Sequence, residues 1–104
     1  MNFRINLNLL RVFHTAAKLE SFTRAAAELH LTQPGISKHV KELEHCYETR
    51  LFERVGKKVM LTQAGEILYR TTSDVFNALN ESKARIADLR GLAGGKLSIG
   101  ASIT

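Results

Sequence analysis

The amino-acid sequence predicts a mainly α fold in which three short helices and a two-stranded hairpin precede one long helix. Three observations carry that prediction. Apolar residues recur at three and four through residues 7–47, two β-rich runs flank Gly56, and no proline interrupts the helical pattern between Thr62 and Arg90.

The first helix follows from Leu9, Leu10, Phe13, Ala16 and Ala17, which give one buried stripe between Leu7 and Leu19. Ser21 then offers an N-cap oxygen, and Phe22, Ala25, Ala26 and Leu29 repeat the pattern in a shorter second helix. Its alanines predict a contact surface, because small side chains let a steeply crossing helix approach closely. In the corner "LHLT", Leu31 is expected to point inward and Thr32 to cap a third helix. Pro34 suits that helix's first turn, where its missing N–H would be unpaired anyway, and Ile36, Val40, Leu43 and Tyr47 line one anchored face. The opposite side shows Gln33, Ser37, Lys38 and Lys41, with His39 near the edge.

"RLFER" and "KVMLT", joined by "VGK", read as a hairpin with Gly56 in the turn. Two strands alone are marginally stable, so the hairpin must lean on the helices. Three helices and a basic-tipped hairpin describe a winged helix-turn-helix, expected over residues 1–62. Thr62 and Glu66 open the long helix, expected over residues 63–90, in which Leu68, Thr72, Val75, Leu79, Ser82, Ile86 and Leu89 form a heptad seam suited to a dimer partner. In residues 91–104, Gly91, Gly94 and Gly95 are expected to break the helix into a hinge, and "KLSIG" reads as a strand too short to stand without a sheet.

Composition narrows the function. At 104 residues and 44% hydrophobic content, the chain suits one core. No apolar run approaches the roughly 20 residues needed to span a bilayer, and no signal-peptide pattern opens the chain, so a soluble cytoplasmic protein without membrane contact is expected. The single cysteine, Cys46, excludes an internal disulfide, and His14, His30, His39 and His45 do not join it at zinc-ligand spacing, so no metal site is expected. No carboxylate pair, triad or phosphate loop suggests an enzyme. The net charge is +5, and its excess lies in residues 1–62, with ten Lys/Arg against six Asp/Glu, which makes that part the candidate for a polyanionic partner.

"LNLLRVFHTAAKLESFTRAAAELHLTQPGISKHVKELE", followed by "RLFER", "LTQAGE" and "GGKLSIGAS", closely resembles the N-terminal region of LysR-type transcriptional regulators. The resemblance spans roughly Leu7 to Ser102. It implies a DNA-binding head, a linker helix that pairs in a homodimer, and a C-terminal effector-binding domain of which residues 91–104 would hold only the hinge and first strand. It also implies promoter DNA with an interrupted inverted repeat as partner, a tetramer open to the full-length protein, and no cofactor in this chain, a small-molecule effector being bound by the C-terminal domain. The base-facing positions of the family fall on Thr32, Gln33, Pro34, Gly35, Ser37 and Lys38, and its basic wing position falls on Lys57.

The residues themselves supply the physics. A recognition helix enters the major groove end-first, so short polar side chains at its start reach base edges without collision. Gln33 can donate and accept at adenine, Lys38 can donate to guanine, and Pro34 can pack on a thymine methyl. Backbone amides near Thr32 to Gly35 suit a phosphate. Ser21 and Arg24 stand at the entry of the second helix, where phosphate contact and plain exposure are equally open. Lys41 and Lys58 extend the basic surface, and with Lys38 they read equally as a solvated face. Thr32 is a cap in either case, and Pro34 and Gly35 have a turn-shaping alternative.

Two departures from the family pattern stand out. Glu48 occupies the place of a helix-ending glycine, so a left-handed cap there would cost roughly 1 kcal/mol or force a different exit. Lys57 and Lys58 stand where Arg-Gly is frequent; lysine keeps the charge but loses the fork. The alternative function is a helical dimerisation module whose basic head binds an acidic protein.

Overall fold

Four oxygen-bearing side chains open four helices. Asn6 Oδ1 accepts from the Leu9 N–H at 2.9 Å, Ser21 Oγ from Arg24 at 3.0 Å, Thr32 Oγ1 from Gly35 at 3.0 Å and Thr62 Oγ1 from Gly65 at 3.0 Å. Each satisfies an amide that has no intrahelical partner. The computed structural model describes residues 5–94. Their elements run α1 (Leu7–Leu19), α2 (Phe22–Leu29), α3 (Gln33–Tyr47), β1 (Phe52–Val55), β2 (Lys58–Leu61) and α4 (Gln63–Gly94). The predicted strand at residues 96–100 lies outside the described residues.

α1, α2 and α3 each end on a non-glycine residue in the left-handed region: Glu20 at φ 53°, His30 at φ 58° and Glu48 at φ 55°. The cost expected at Glu48 is therefore incurred rather than avoided by another exit. The compensation is local, because at each end the cap and the residue after it donate back to carbonyls of the last turn. The second of these bonds are Ser21 N to Ala16 O at 3.3 Å, Leu31 N to Ala26 O at 2.9 Å and Thr49 N to Glu44 O at 3.2 Å.

The core gathers where α1, α2 and α3 cross. Phe13 and Ile36 are fully enclosed, and Ala25 and Ala26 are both buried, the close approach their size allows. The hairpin does lean on the helices. Phe52 stacks obliquely on Phe13 and edge-on to Phe22, with ring centroids 5.3 Å apart in both pairs, while Leu51 and Val59 are buried beside it. Burying side chains of this size contributes on the order of 2 kcal/mol each. β1 and β2 pair antiparallel in the register Phe52 with Leu61 and Arg54 with Val59. Gly56, at φ +65°, makes the turn, and no non-glycine turn residue shares a positive φ, the pattern of a II′ turn. Thr62 ties the hairpin to α4 by donating from its hydroxyl to the Arg50 carbonyl at 2.7 Å and from its N–H to the Leu51 carbonyl at 3.0 Å. Gly65 is required here, since a Cβ would collide with the Leu51 carbonyl oxygen.

Two burial expectations change: Leu31, expected to point inward from the corner, is 41% exposed, and Tyr47, expected on the anchored face of α3, is 40% exposed.

The chain divides into two units between Ser73 and Asp74. The first extends past residue 62 because the opening turns of α4 complete its core. Leu68 is buried there, and Thr72 is fully enclosed. The Thr72 hydroxyl donates to the Tyr69 carbonyl at 3.0 Å, so its contact with His14 Nδ1 at 2.8 Å requires the imidazole to be the donor. His14 also stacks on Tyr69 at 4.8 Å. Burial and then the nearby Lys18 charge hold its pKa below the ordinary 6.5. Leu68 and Thr72, expected in an intermolecular seam, thus face their own head, and enclosed Thr72 has no surface to offer a partner.

In the second unit, which begins at Asp74, the remaining seam positions differ. Val75 is half-buried, whereas Leu79, Ile86 and Leu89 are 46%, 57% and 66% exposed. The Ser82 hydroxyl turns back to the Leu79 carbonyl at 2.7 Å. The helix continues through Gly91 to Gly94 instead of stopping near residue 90, since a helical glycine costs only about 1 kcal/mol and is no obligatory stop. Among the described residues no helix is long and apolar enough to cross a membrane.

Candidate nucleic-acid interface

The corner between α2 and α3 is built by backbone closure at one end and a side-chain cap at the other. His30 reverses the chain and donates to Ala27 O at 3.4 Å, Leu31 donates to Ala26 O, and Thr32 closes the first turn of α3. Thr32, Gln33 and Pro34 are exposed, with Gly35 partly covered. A Cβ at Gly35 would sit 3.1 Å from Thr32 Oγ1, tight enough to disturb the cap. Gly35 therefore lets the capped turn stay closed and its backbone stay near the surface.

The row of free amides expected from Thr32 to Gly35 is shorter than anticipated. Pro34 has no N–H, and the Gly35 and Ile36 amides bond to the side-chain and backbone oxygens of Thr32. At most the Thr32 and Gln33 amides remain for a phosphate.

Ile36, Val40 and Leu43 bury the inner face of α3, so the helical period turns Pro34, Lys38, Lys41 and His45 outward as one ridge. An open groove beside the ridge includes Leu9, Pro34, Ser37, Lys38, Lys41 and Cys46. Ser37 and Lys41 also line a second groove on the hairpin side, together with Arg50 and Arg54. The structure thus brings Gln33, Pro34, Ser37, Lys38 and Lys41 onto one helix surface. Ser21 caps α2 and is half-buried, and Arg24 is exposed one turn in.

Lys57 is exposed beside Gly56 at the hairpin tip. Lys58 lies 3.9 Å from Glu20, across exposed surface. Such a pair contributes at most about 1 kcal/mol, so it biases Lys58 toward the end of α1 without committing it. His45, Arg50 and Arg54 escaped the sequence reading. His45 was legible, being eleven residues after Pro34 on one helical face. Arg54 had a weaker signal, alternation with Phe52, and Arg50 had none because it precedes β1 in an irregular loop.

A short three-helix head, an exposed capped α3 entrance and a basic hairpin tip define a winged helix-turn-helix protein. The family described as bacterial regulatory helix-turn-helix protein, lysR family, matches residues 7–66. This chain belongs to that family. It is 40% identical over 100 residues to a RuBisCO operon transcriptional regulator of Allochromatium vinosum, covering 96% of this chain and 33% of the relative. It is 39% identical over 98 residues to the HTH-type transcriptional activator CmpR of Synechocystis, covering 94% and 32%. The chain therefore spans about a third of the length of these curated relatives. Among solved structures it is similar to the BenM DNA-binding domain in complex with catB site 1 DNA, at TM-score 0.76 and 26% identity over 82% of this chain and 94% of that one. It is also similar to oxidised OxyR of Corynebacterium glutamicum, at TM-score 0.73 and 31% identity over 83% of this chain and 28% of that one.

Proposed function

We propose that this chain is the sequence-reading head and linker helix of a dimeric, cytoplasmic transcriptional regulator that binds promoter DNA bearing an interrupted inverted repeat. The observation that carries the reading is the uncovered first turn of α3, where Thr32, Gln33 and Pro34 stand exposed around a closed cap. Short polar groups at a helix entrance fit the width of the major groove, and the exposed Lys57 tip suits the adjacent minor groove. The likeness to DNA-bound domains supports the same reading. The acidic-protein alternative has no comparable support, since the relatives are named as transcriptional regulators.

Dimerisation is assigned to the exposed Leu79, Ile86 and Leu89, a surface suited to a second copy of the helix. Because the chain covers about a third of its relatives' length, we assign any small-molecule effector pocket, and any tetramer contact, to the part of such a regulator that these residues do not span. Regulation rather than catalysis is the activity proposed.

The direct test is selection of bound duplexes from random DNA, with recovery of a symmetric, spaced motif as the expected result. Against the selected duplex, Gln33→Ala should lose roughly 1–3 kcal/mol while binding random DNA almost as before, whereas Lys57→Ala should weaken both and lower the salt dependence. Equal losses on both duplexes for Gln33→Ala would remove it from base reading.

A further inference from the structure

The hairpin carries two lysines in succession, and the fold treats them differently. Lys57 follows Gly56 in the turn and has no carboxylate at ion-pair distance among the described residues. Lys58 opens β2, where it pairs with Val55 across the ladder, and its Nζ lies 3.9 Å from Glu20 Oε1 at the end of α1. Glu20 is locally a poor residue for its place. It holds the left-handed cap of α1 at φ 53°, a conformation that a Cβ disfavours, and it sets a negative charge at the negative end of the helix dipole. The last turn of α1 holds Lys18, the sign of charge that a helix end favours. The local structure of α1 thus gives no reason for a carboxylate at position 20. The cation set against it is Lys58.

We propose that Glu20 is an internal counterion of the hairpin, one that cancels Lys58 and leaves Lys57 as the tip cation that DNA meets at full charge. The proposal rests on the DNA reading above and assigns within it a residue that limits affinity without touching a base. It needs proximity rather than a strong pair. Both side chains are exposed, so the ion pair adds little to stability and a phosphate competes with Glu20 for Lys58. The carboxylate nevertheless stays beside that phosphate, since 3.9 Å is well inside the screening length of about 8 Å at physiological salt. Gain and loss offset, and the two residues together add almost nothing to the charge that displaces counterions from a duplex. That electrostatic part of binding is blind to sequence. Glu20 therefore lowers affinity for all duplexes alike and leaves the choice among them to α3. Glu48 supplies the contrast: it is another glutamate in a left-handed helix cap, at φ 55°, with no cation at ion-pair distance among the described residues.

The experiment measures affinity against salt concentration for Glu20→Gln, Glu48→Gln and the double variant Glu20→Gln with Lys58→Gln, on both the duplex selected by the wild-type protein and random DNA. Glutamine matches glutamate in shape and keeps the backbone bonds from the cap to Ala16 and Ala17, so the fold is preserved. Glu20→Gln should steepen the log–log salt slope by about 0.9 and tighten both duplexes by the same factor, on the order of fivefold at about 0.15 M salt. The double variant should return to the wild-type slope, Glu20→Asp should keep it, and Glu48→Gln should leave it unmoved. An unaltered slope in Glu20→Gln, an equal rise in Glu48→Gln, or a double variant as steep as Glu20→Gln alone would overturn the proposal while leaving selective binding through Gln33 intact. Absence of any wild-type duplex binding at low salt would instead defeat the DNA reading itself, and this proposal with it.

Discussion

The opening turns of α4 and the stretch from Asp74 onward carry the same kind of heptad, yet the two are used differently. Leu68 and Thr72 are buried in the head, whereas Leu79, Ile86 and Leu89 remain largely exposed. One repeating pattern thus serves an intramolecular core first and leaves an unmet apolar surface afterwards. The difference teaches that a heptad specifies a face, while the chain around it decides what covers that face.

The sharpest way to break the comparison is to truncate a member of the first stretch. Leu68→Ala should destabilise the head by about 2–5 kcal/mol through lost burial and the cavity left behind. The two tyrosines, Tyr47 and Tyr69, both lie in the head, so tyrosine fluorescence during denaturation reads that loss directly. A change below about 0.5 kcal/mol would mean that Leu68 does not complete the core.

Leu79→Lys is the counterpart. It should leave the tyrosine-monitored stability within about 0.5 kcal/mol of wild type, but weaken self-association by about 2 kcal/mol or more, on the order of 30-fold. Analytical ultracentrifugation across concentrations separates the two effects. Unaltered self-association would take the dimer surface away from this stretch.

A smaller effect is expected at the hydrogen bond that joins α1 to α4. Thr72→Val preserves shape but removes the acceptor of the His14 Nδ1–H. It should cost about 1 kcal/mol, at the low end of the range for an orphaned donor because the ring is only half-buried and water can substitute. The same histidine supplies a pH dependence. Its folded pKa lies below 6.5, so the unfolded chain takes up the proton first. The stability that neutral His14 contributes is complete above the unfolded value and is lost as pH falls through the folded one. Thermal melts between about pH 8 and about pH 5 should show that decline, and His14→Gln should flatten it. A wild-type decline that persisted unaltered in His14→Gln would assign it to other groups.

The least expected gain is at the end of α3. Glu48→Gly should stabilise the head by about 1 kcal/mol, because glycine adopts the left-handed cap without a Cβ clash. Denaturant midpoints would read it, and destabilisation would show that the Glu48 side chain supplies more than its backbone strain removes.

Much of this architecture was legible in the residue order. The caps at Ser21, Thr32 and Thr62, the buried stripes of α1 and α3 and the turn at Gly56 are local matters, set by hydrogen-bonding side chains and period within a few residues of each feature. Gln33, Pro34, Ser37 and Lys38 were legible as a surface for the same reason: they share one short helix whose opposite face is apolar. Tertiary structure alone decided the rest, because those outcomes depend on residues far apart in the chain. Thr72 is enclosed by meeting His14, 58 positions earlier, and Gly65 is obligatory because the Leu51 carbonyl approaches it. Arg50 and Arg54 join Lys41 only once the hairpin packs against the helices. Periodicity sorts side chains into faces, but only packing in three dimensions says which faces meet and which are left for a partner.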